Sequence, residues 1–283
     1  MKLLVALVLV CAPALVVADT PAPPAIKLVT AGKDPRTQLR FAPKKGTKRT
    51  VVVTSQEAKA RGVKGKLPPL ATAPAIRMTM DLEITDVTAD GDIHYQFVYR
   101  GAELADAKGL TPELDRQVKK ALAVFNGLKG HGIATSRGIS KLLELETPAN
   151  AQPEARAAIE MSRGVVSQIV EPLPEDAVGL GAKWQTTSTV TTGEITANTT
   201  VSHELLELSG TRAKIKLTMT VHGKGSGPGN LTSETTATGE TVLDLTAIVP
   251  SQAKLDMRTE VGLDMDGKRL AQLGTTKVTL VAR

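Results

Sequence analysis

The residues that could carry chemistry are few, and each lacks the company its chemistry needs. His203-Glu204-Leu205-Leu206-Glu207 opens like a zinc-protease helix, but that motif requires a second histidine one helical turn on, and position 207 is glutamate. The segment reads instead as a strand in which His203 faces inward as a satisfied or rim histidine. His94, His131 and His222 have no metal-ligand spacing. Asp90-Gly91-Asp92 and Asp264-Met265-Asp266-Gly267 gather carboxylates where hairpins must turn, and neither continues to the distal glutamate of a calcium loop. Ser251 and Lys254 have the spacing of a serine/lysine dyad without the helix that dyad opens. Gly223 to Gly229 is glycine-rich but has no Gly-Lys-Ser/Thr ending, so it reads as a flexible connector rather than a phosphate loop, and no Gly-x-Ser-x-Gly elbow occurs. These exclusions predict a non-enzymatic protein with no catalytic residue, no metal and no cofactor.

Residues 1–18 have the form of a signal peptide: Lys2 begins a short positive region, Leu3 to Val10 are apolar, and Val16-Val17-Ala18 offers a cleavage site before Asp19. The apolar run is too short to span a bilayer, and no later stretch approaches the ~20 apolar residues of a membrane helix. The expected location is therefore outside the cytoplasm, periplasmic or secreted. Cys11, the single cysteine, leaves with the leader, so disulfides and thiolate chemistry are excluded from the exported chain. Stability must come from core burial, which a chain of 283 residues with 41% hydrophobic composition can supply.

The positive charge is local. Twelve Lys or Arg stand against two acids between Lys27 and Lys66, and the chain beyond turns mildly acidic. Such a segment is either a solvated basic loop that aids solubility or a contact for an anionic partner, lipid headgroups or an envelope polymer. Lys59, Arg61, Lys64 and Lys66 are the candidate contacts. Nucleic acid is not expected, because the segment contains one aromatic residue, Phe41, where stacking platforms need several.

Most of the chain reads as antiparallel β. Ile76, Met78, Met80, Leu82 and Ile84 alternate strictly with polar residues, Asp90-Gly91 turns, and Ile93, Tyr95, Phe97 and Tyr99 return on one face. The same period recurs at Ile215 to Val221 and at Leu255 to Met265. Two segments have helical period instead. Thr111-Pro112-Glu113 supplies a cap, a proline at the first helical position and an acid in the first turn, ahead of a stripe through Leu114, Val118, Leu122 and Phe125. Pro153 opens a second helix, expected over 152–171 and ended by Pro172-Leu173-Pro174.

The strands repeat weakly but in order. Lys45-Gly46-Thr47-Lys48-Arg49 echoes Gly181-Ala182-Lys183-Trp184, the long hairpins that follow end at Gly101 and Gly223, and the alignment sets His203 against Leu82. The expected organisation is a Pro-rich linker over 19–37 and one β-rich domain over 38–283. Within it lie module one at about 39–146 and module two at about 178–283. The expected fold class is mainly β, a large curved antiparallel sheet forming an open or half barrel, with two helices packed on it.

Leu173-Pro174, Val178, Gly181 and Trp184, placed ahead of a long antiparallel stretch, resemble a pattern of exported bacterial β-rich proteins. The architecture is similar to that of periplasmic lipoprotein carriers, in which an unclosed half-barrel curls around helices. That second resemblance implies an apolar or lipid ligand held on the concave face. Met78, Met80, Tyr95, Phe97, Met219 and Met257 fall on the apolar side of their strands and are the candidate ligand-binding residues, thioethers being suited to varied apolar partners. The competing expectation is an envelope structural or interaction module whose concave face is filled by its own helices and whose basic segment docks to an anionic surface.

Overall fold

Alternation of apolar and polar residues in β-branched-rich stretches makes long strands, and short turns join them into one sheet. The computed structural model describes residues 23–283 except 107–109, 150, 167–168, 193, 227–228 and 266–267. The expected leader, with Cys11, lies outside them. Among the described residues the strands are β1 (Ala25–Thr30), β2 (Lys48–Val63), β3 (Ala71–Thr72), β4 (Ile76–Val87), β5 (Ile93–Leu104), β6 (Lys129–Ala134) and β7 (Ser140–Leu145), followed by β8 (Lys183–Thr192), β9 (Ile195–Ser209), β10 (Arg212–Gly225), β11 (Thr232–Asp244), β12 (Gln252–Met265) and β13 (Lys268–Ala282). The helices are α1 (Pro112–Leu122) and α2 (Pro153–Val166). The ladder order is β1-β8-β9-β10-β11-β12-β13-β2-β4-β5-β6-β7, antiparallel throughout, with the short β3 pairing β2 beside it. The expected open antiparallel sheet with two helices is therefore the observed fold. It is left open because β1 and β7, the two edges, share no ladder.

One end of the concave face is filled. Ile93, Tyr95, Phe97 and Tyr99 of β5 and Met80, Leu82 and Ile84 of β4 are each 5% exposed or less. The rings of Tyr95, Phe97, Tyr99 and Phe125 form a continuous ladder with centroids 5.8 to 6.4 Å apart. Glycine makes this possible on β6: a Cβ on Gly130 would come within 2.3 Å of the Phe97 ring, and one on Gly132 within 2.4 Å of the Tyr95 hydroxyl. The two rings thus fold over the neighbouring strand. Val118 and Leu122 of α1 and Ile159 of α2 join the same core. The first helix is held as its sequence foretells: the Thr111 hydroxyl accepts the Leu114 amide at 3.3 Å, Glu113 and Asp115 stand in the first turn and Lys119 and Lys120 in the last.

Four expectations are corrected. The 19–37 linker contains a strand, β1, because Ile26 and Leu28 alternate with Lys27 and Val29 and the segment pairs with β8. The basic segment is only partly loop: Val51 and Val53 anchor one face of β2, the strand along which Lys48 and Arg49 lie beside β4 and Lys59 and Arg61 beside β13, while the other cations lie on β1, in the stretch 31–47 and in the turn after β2. The described second helix spans Pro153–Val166, short of 171, and 167–168 lie outside the described residues. Gly223 and Gly225 complete β10 rather than starting a connector, and 227–228 lie outside the described residues.

The released segment after α2 becomes a strap. The Leu173 amide donates to the Arg137 carbonyl at 2.9 Å in the β6–β7 turn, and Thr37 and Val178 bridge on the other side. The Phe41 amide reaches the Ser136 carbonyl of the same turn at 2.7 Å. Irregular backbone, rather than strand pairing, thereby ties the two edges together at the filled end.

Candidate functional site

The six residues expected on the concave face divide into two groups. Met80, Tyr95 and Phe97 belong to the filled end and are buried, with Met78 half-buried at its margin. The enclosed space there is about 40 Å³, bounded by Ile76, Leu104, Val118, Pro74 and Glu57. Burial pushes the Tyr95 hydroxyl up to about 12 and raises that of Tyr99, which pairs with the Ser162 hydroxyl at 3.1 Å. Met219 and Met257 lie elsewhere. They flank Ala237 in one cross-strand row that continues to Thr276 and Glu57. The Met78 row meets β12 at Ala253, four residues earlier, which is about 13 Å along the strand. The sheet therefore does not bring the methionines into one site. Met257 also borders a shallow open depression of about 360 Å³ across β11 to β13, lined otherwise by threonines and by Asp256, Arg258 and Lys277.

The four basic candidates divide as well. Counting from Val51 along the pleat, Glu57, Lys59, Arg61 and Val63 share the concave face of β2. Lys59 stands opposite Gly274, its side chain only 10% exposed, with its ammonium 2.7 Å from the Glu57 carboxylate. It cannot meet an external surface in this arrangement, so it leaves the set of surface contacts. Arg61 is exposed and donates to the Gln272 side chain at 2.5 Å. Lys64 and Lys66 are exposed in the turn that ends β2.

This turn forms a tip at the end of the sheet away from the aromatic ladder. Val63 pairs with Leu270, which pairs in turn with Leu263, and Leu67 lies across Gly62. Val63, Leu67, Leu70 and Leu270 are 36 to 41% exposed. Arg61, Lys64, Lys66, Lys268 and Arg269 surround them. Asp264 approaches Arg269 at 3.5 Å, and Asp266 lies outside the described residues. On the convex face, by contrast, β12 presents Lys254, Asp256, Arg258 and Glu260 in succession, all exposed.

A buried polar cluster was only half legible in the sequence. The turn before β2 and the turn before β8 are built alike: Gly46 and Gly181 take φ of +82° and +76°, where a side chain would be strained. The Gly46 amide donates to Ile84 and the Ile84 amide to Thr47, while the Gly181 amide donates to Leu205 and the Leu205 amide to Ala182. Arg49 consequently pairs with Leu82 as Trp184 pairs with His203. Where the first hairpin has Val51 and Leu82, the second has Thr186 and His203. The His203 ring stacks on Trp184 with centroids 5.1 Å apart and planes 2° from parallel. Its Nε2 meets the Thr186 hydroxyl at 3.1 Å, and its Nδ1 lies 2.5 Å from Glu171 Oε1. Neither Nδ1 nor Oε1 has a hydrogen-bond partner of directed geometry. The Trp184 indole donates to the Pro172 carbonyl at 3.0 Å.

Hydroxyl, imidazole and carboxylate in this order resemble a hydrolytic relay. Thr186 is 5% exposed, however, and a hydroxyl so enclosed presents no face to a substrate. Glu171 and Pro172 belong to the strap, which His203 of β9 and Trp184 of β8 contact, with Thr186 bonded to the histidine behind them. Glu171 carries no motif of its own. The signal that could have found it was the inward histidine, which needs a buried partner.

No family model and no curated protein matches the chain. Among solved structures it is similar to OmpT, an outer membrane protein of Vibrio cholerae, at 8% identity and a TM-score of 0.19, over 83% of this chain and 100% of that one. It is similar to OccK1 of Pseudomonas aeruginosa at 5% identity and a TM-score of 0.23, over 83% and 99%. A mutant Rh. blastica porin gives 7% identity and 0.22, over 81% and 99%. Likenesses this faint carry no functional weight. Among the described residues no helix is long and apolar enough to cross a membrane.

Proposed function

We propose that the chain is an exported, non-enzymatic interaction module that docks to an anionic component of the cell envelope through the tip formed by the β2 turn and the start of β13. The observation that carries this reading is the gathering of Arg61, Lys64, Lys66 and Lys268 around one exposed end of the sheet. The filled end supplies the rigid body behind that tip. The signal pattern of residues 1–18 supports export, and the charged succession along β12 supports a convex face turned to water rather than to lipid tails.

The alternative of a carrier holding an acyl chain under the helices has less support. Small-molecule sites run to roughly 300–1,000 Å³, and the small space bounded by Val118 of α1, Ile76 and Leu104 is about 40 Å³. Replacing Arg61, Lys64, Lys66 and Lys268 together with glutamine tests the docking reading. The wild type should be retained on an anionic matrix in a salt-sensitive manner and the variant should not. Equal retention of the two proteins would refute it.

A further inference from the structure

The tip combines two properties that a purely ionic contact does not require. Its cations surround four large apolar side chains, Val63, Leu67, Leu70 and Leu270, each more than a third exposed; the other exposed large apolar residues described, Val29, Val98, Leu180, Leu206 and Val281, are scattered over β1, β5, the turn before β8, β9 and the far end of β13. Val63 and Leu270 project from the concave face at the last rung of the β2–β13 ladder. Leu67 covers the opposite face at Gly62, so the apolar residues wrap the rim instead of lining a groove. Pro68 and Pro69, between Leu67 and Leu70, restrict the backbone of the projecting segment, and presenting both leucines therefore costs little ordering. An anionic polymer would be satisfied by the cations alone. An anionic bilayer offers both chemistries at the depth each side chain needs, phosphates at the surface for Lys64, Lys66 and Lys268 and acyl carbons just below for the leucines.

We infer that the partner of this tip is an anionic lipid bilayer, into whose interfacial layer Leu67, Leu70, Val63 and Leu270 insert while the surrounding lysines and arginines contact headgroups. The inference rests on the docking function proposed above and narrows its partner. Attraction between Lys and anionic headgroups draws the tip to the surface, and burial of the leucines makes attachment persist when salt weakens that attraction. The rest of the sheet stays in water, with its aromatic end remote from the membrane.

The full exported chain is mixed with vesicles of equal parts phosphatidylglycerol and phosphatidylethanolamine, with vesicles of phosphatidylcholine alone, and with soluble polyphosphate. Sedimentation measures binding, and a Leu70→Trp variant reports insertion through quenching by brominated lipid. Trp184, fully buried, gives a background that lipid does not alter. The expected result is binding to the anionic vesicles, quenching of Leu70→Trp there, and at least about tenfold weaker vesicle binding by Leu67→Ser/Leu70→Ser with polyphosphate binding unchanged. If the double serine variant binds vesicles like the wild type and the tryptophan reporter is not quenched, insertion is overturned while ionic docking stands. If Lys64→Gln/Lys66→Gln leaves binding to vesicles and polyphosphate unchanged, or the wild type binds neither, the docking function itself falls. Unaltered thermal melting of each variant verifies that these exposed positions report binding and not folding.

Discussion

The two ends of the one sheet solve different problems with the same strand pattern. At the end under the helices, every second residue of β4 and β5 is large and apolar, the rings of Tyr95, Phe97, Tyr99 and Phe125 interlock, and glycines on β6 make room for them. At the other end the row through β10 to β13 is Met219, Ala237, Met257 and Thr276, among the described residues neither α1 nor α2 packs over it, and the last rungs leave Val63 and Leu270 partly exposed. Alternation alone therefore does not make a core: a pleated face becomes one only where a second layer covers it. The difference separates the part of the molecule that stabilises it from the part that is free to meet something else.

Truncating the aromatic ladder should have the largest effect. Phe97→Ala removes a ring that touches two others and is expected to cost about 4 kcal/mol in denaturant unfolding. A loss below about 1 kcal/mol would mean that the filled end is not the stabilising one. Next comes the latch between the edges. Glu171→Ala removes the carboxylate beside the buried His203 Nδ1 and should cost about 3 kcal/mol, whereas Glu171→Leu combined with His203→Leu, which gives the second hairpin the residue type of Leu82, should recover most of that loss. Failure of the double variant to recover would show that the polar contact is needed for itself and not as a compensated burial.

Alkaline pH probes the ladder without mutation. The Tyr95 hydroxyl titrates near 10 in the unfolded chain and at about 12 in the fold, because burial disfavours the phenolate. Its contribution is therefore complete below pH 10 and is lost as pH rises through that window, by about 2–3 kcal/mol. Tyr99 shifts in the same direction. Tyrosinate absorbance followed against pH should show these two hydroxyls ionising only as the protein unfolds. At the uncovered end the effects shrink. Met257→Ala, half-buried beside Ala237, should cost about 1 kcal/mol, and Leu67→Ser should stay within about 1 kcal/mol because more than a third of the residue is already in water. A large loss at Leu67 would make the tip part of the fold rather than a free surface.

The sequence by itself determined the local structure. Period-two alternation marked β4, β5, β10 and β12, the Thr111-Pro112-Glu113 cap marked α1, and the glycine turns at 46 and 181 marked the paired hairpins, all through interactions between near neighbours. The inward orientation of His203 was also legible, because register follows from alternation once the two turns are aligned. Which faces become covered was decided only by the tertiary structure. Met80 and Met257 both fall on the apolar side of a strictly alternating strand, yet one is buried in the core beside the helices and the other is half-buried, since that depends on where α1 and α2 dock many residues away. The same holds for charge: Lys59 and Lys64 read alike in a basic run, but β2 pairs on both sides and carries the first into the sheet beside Gly274, while the second emerges at its tip. Glu171 joined His203 for the same reason, as a long-range contact made by a strap crossing between two edges. Sequence neighbours specify pleat and turn, but burial and pairing are set by parts of the chain that meet only when the sheet has formed.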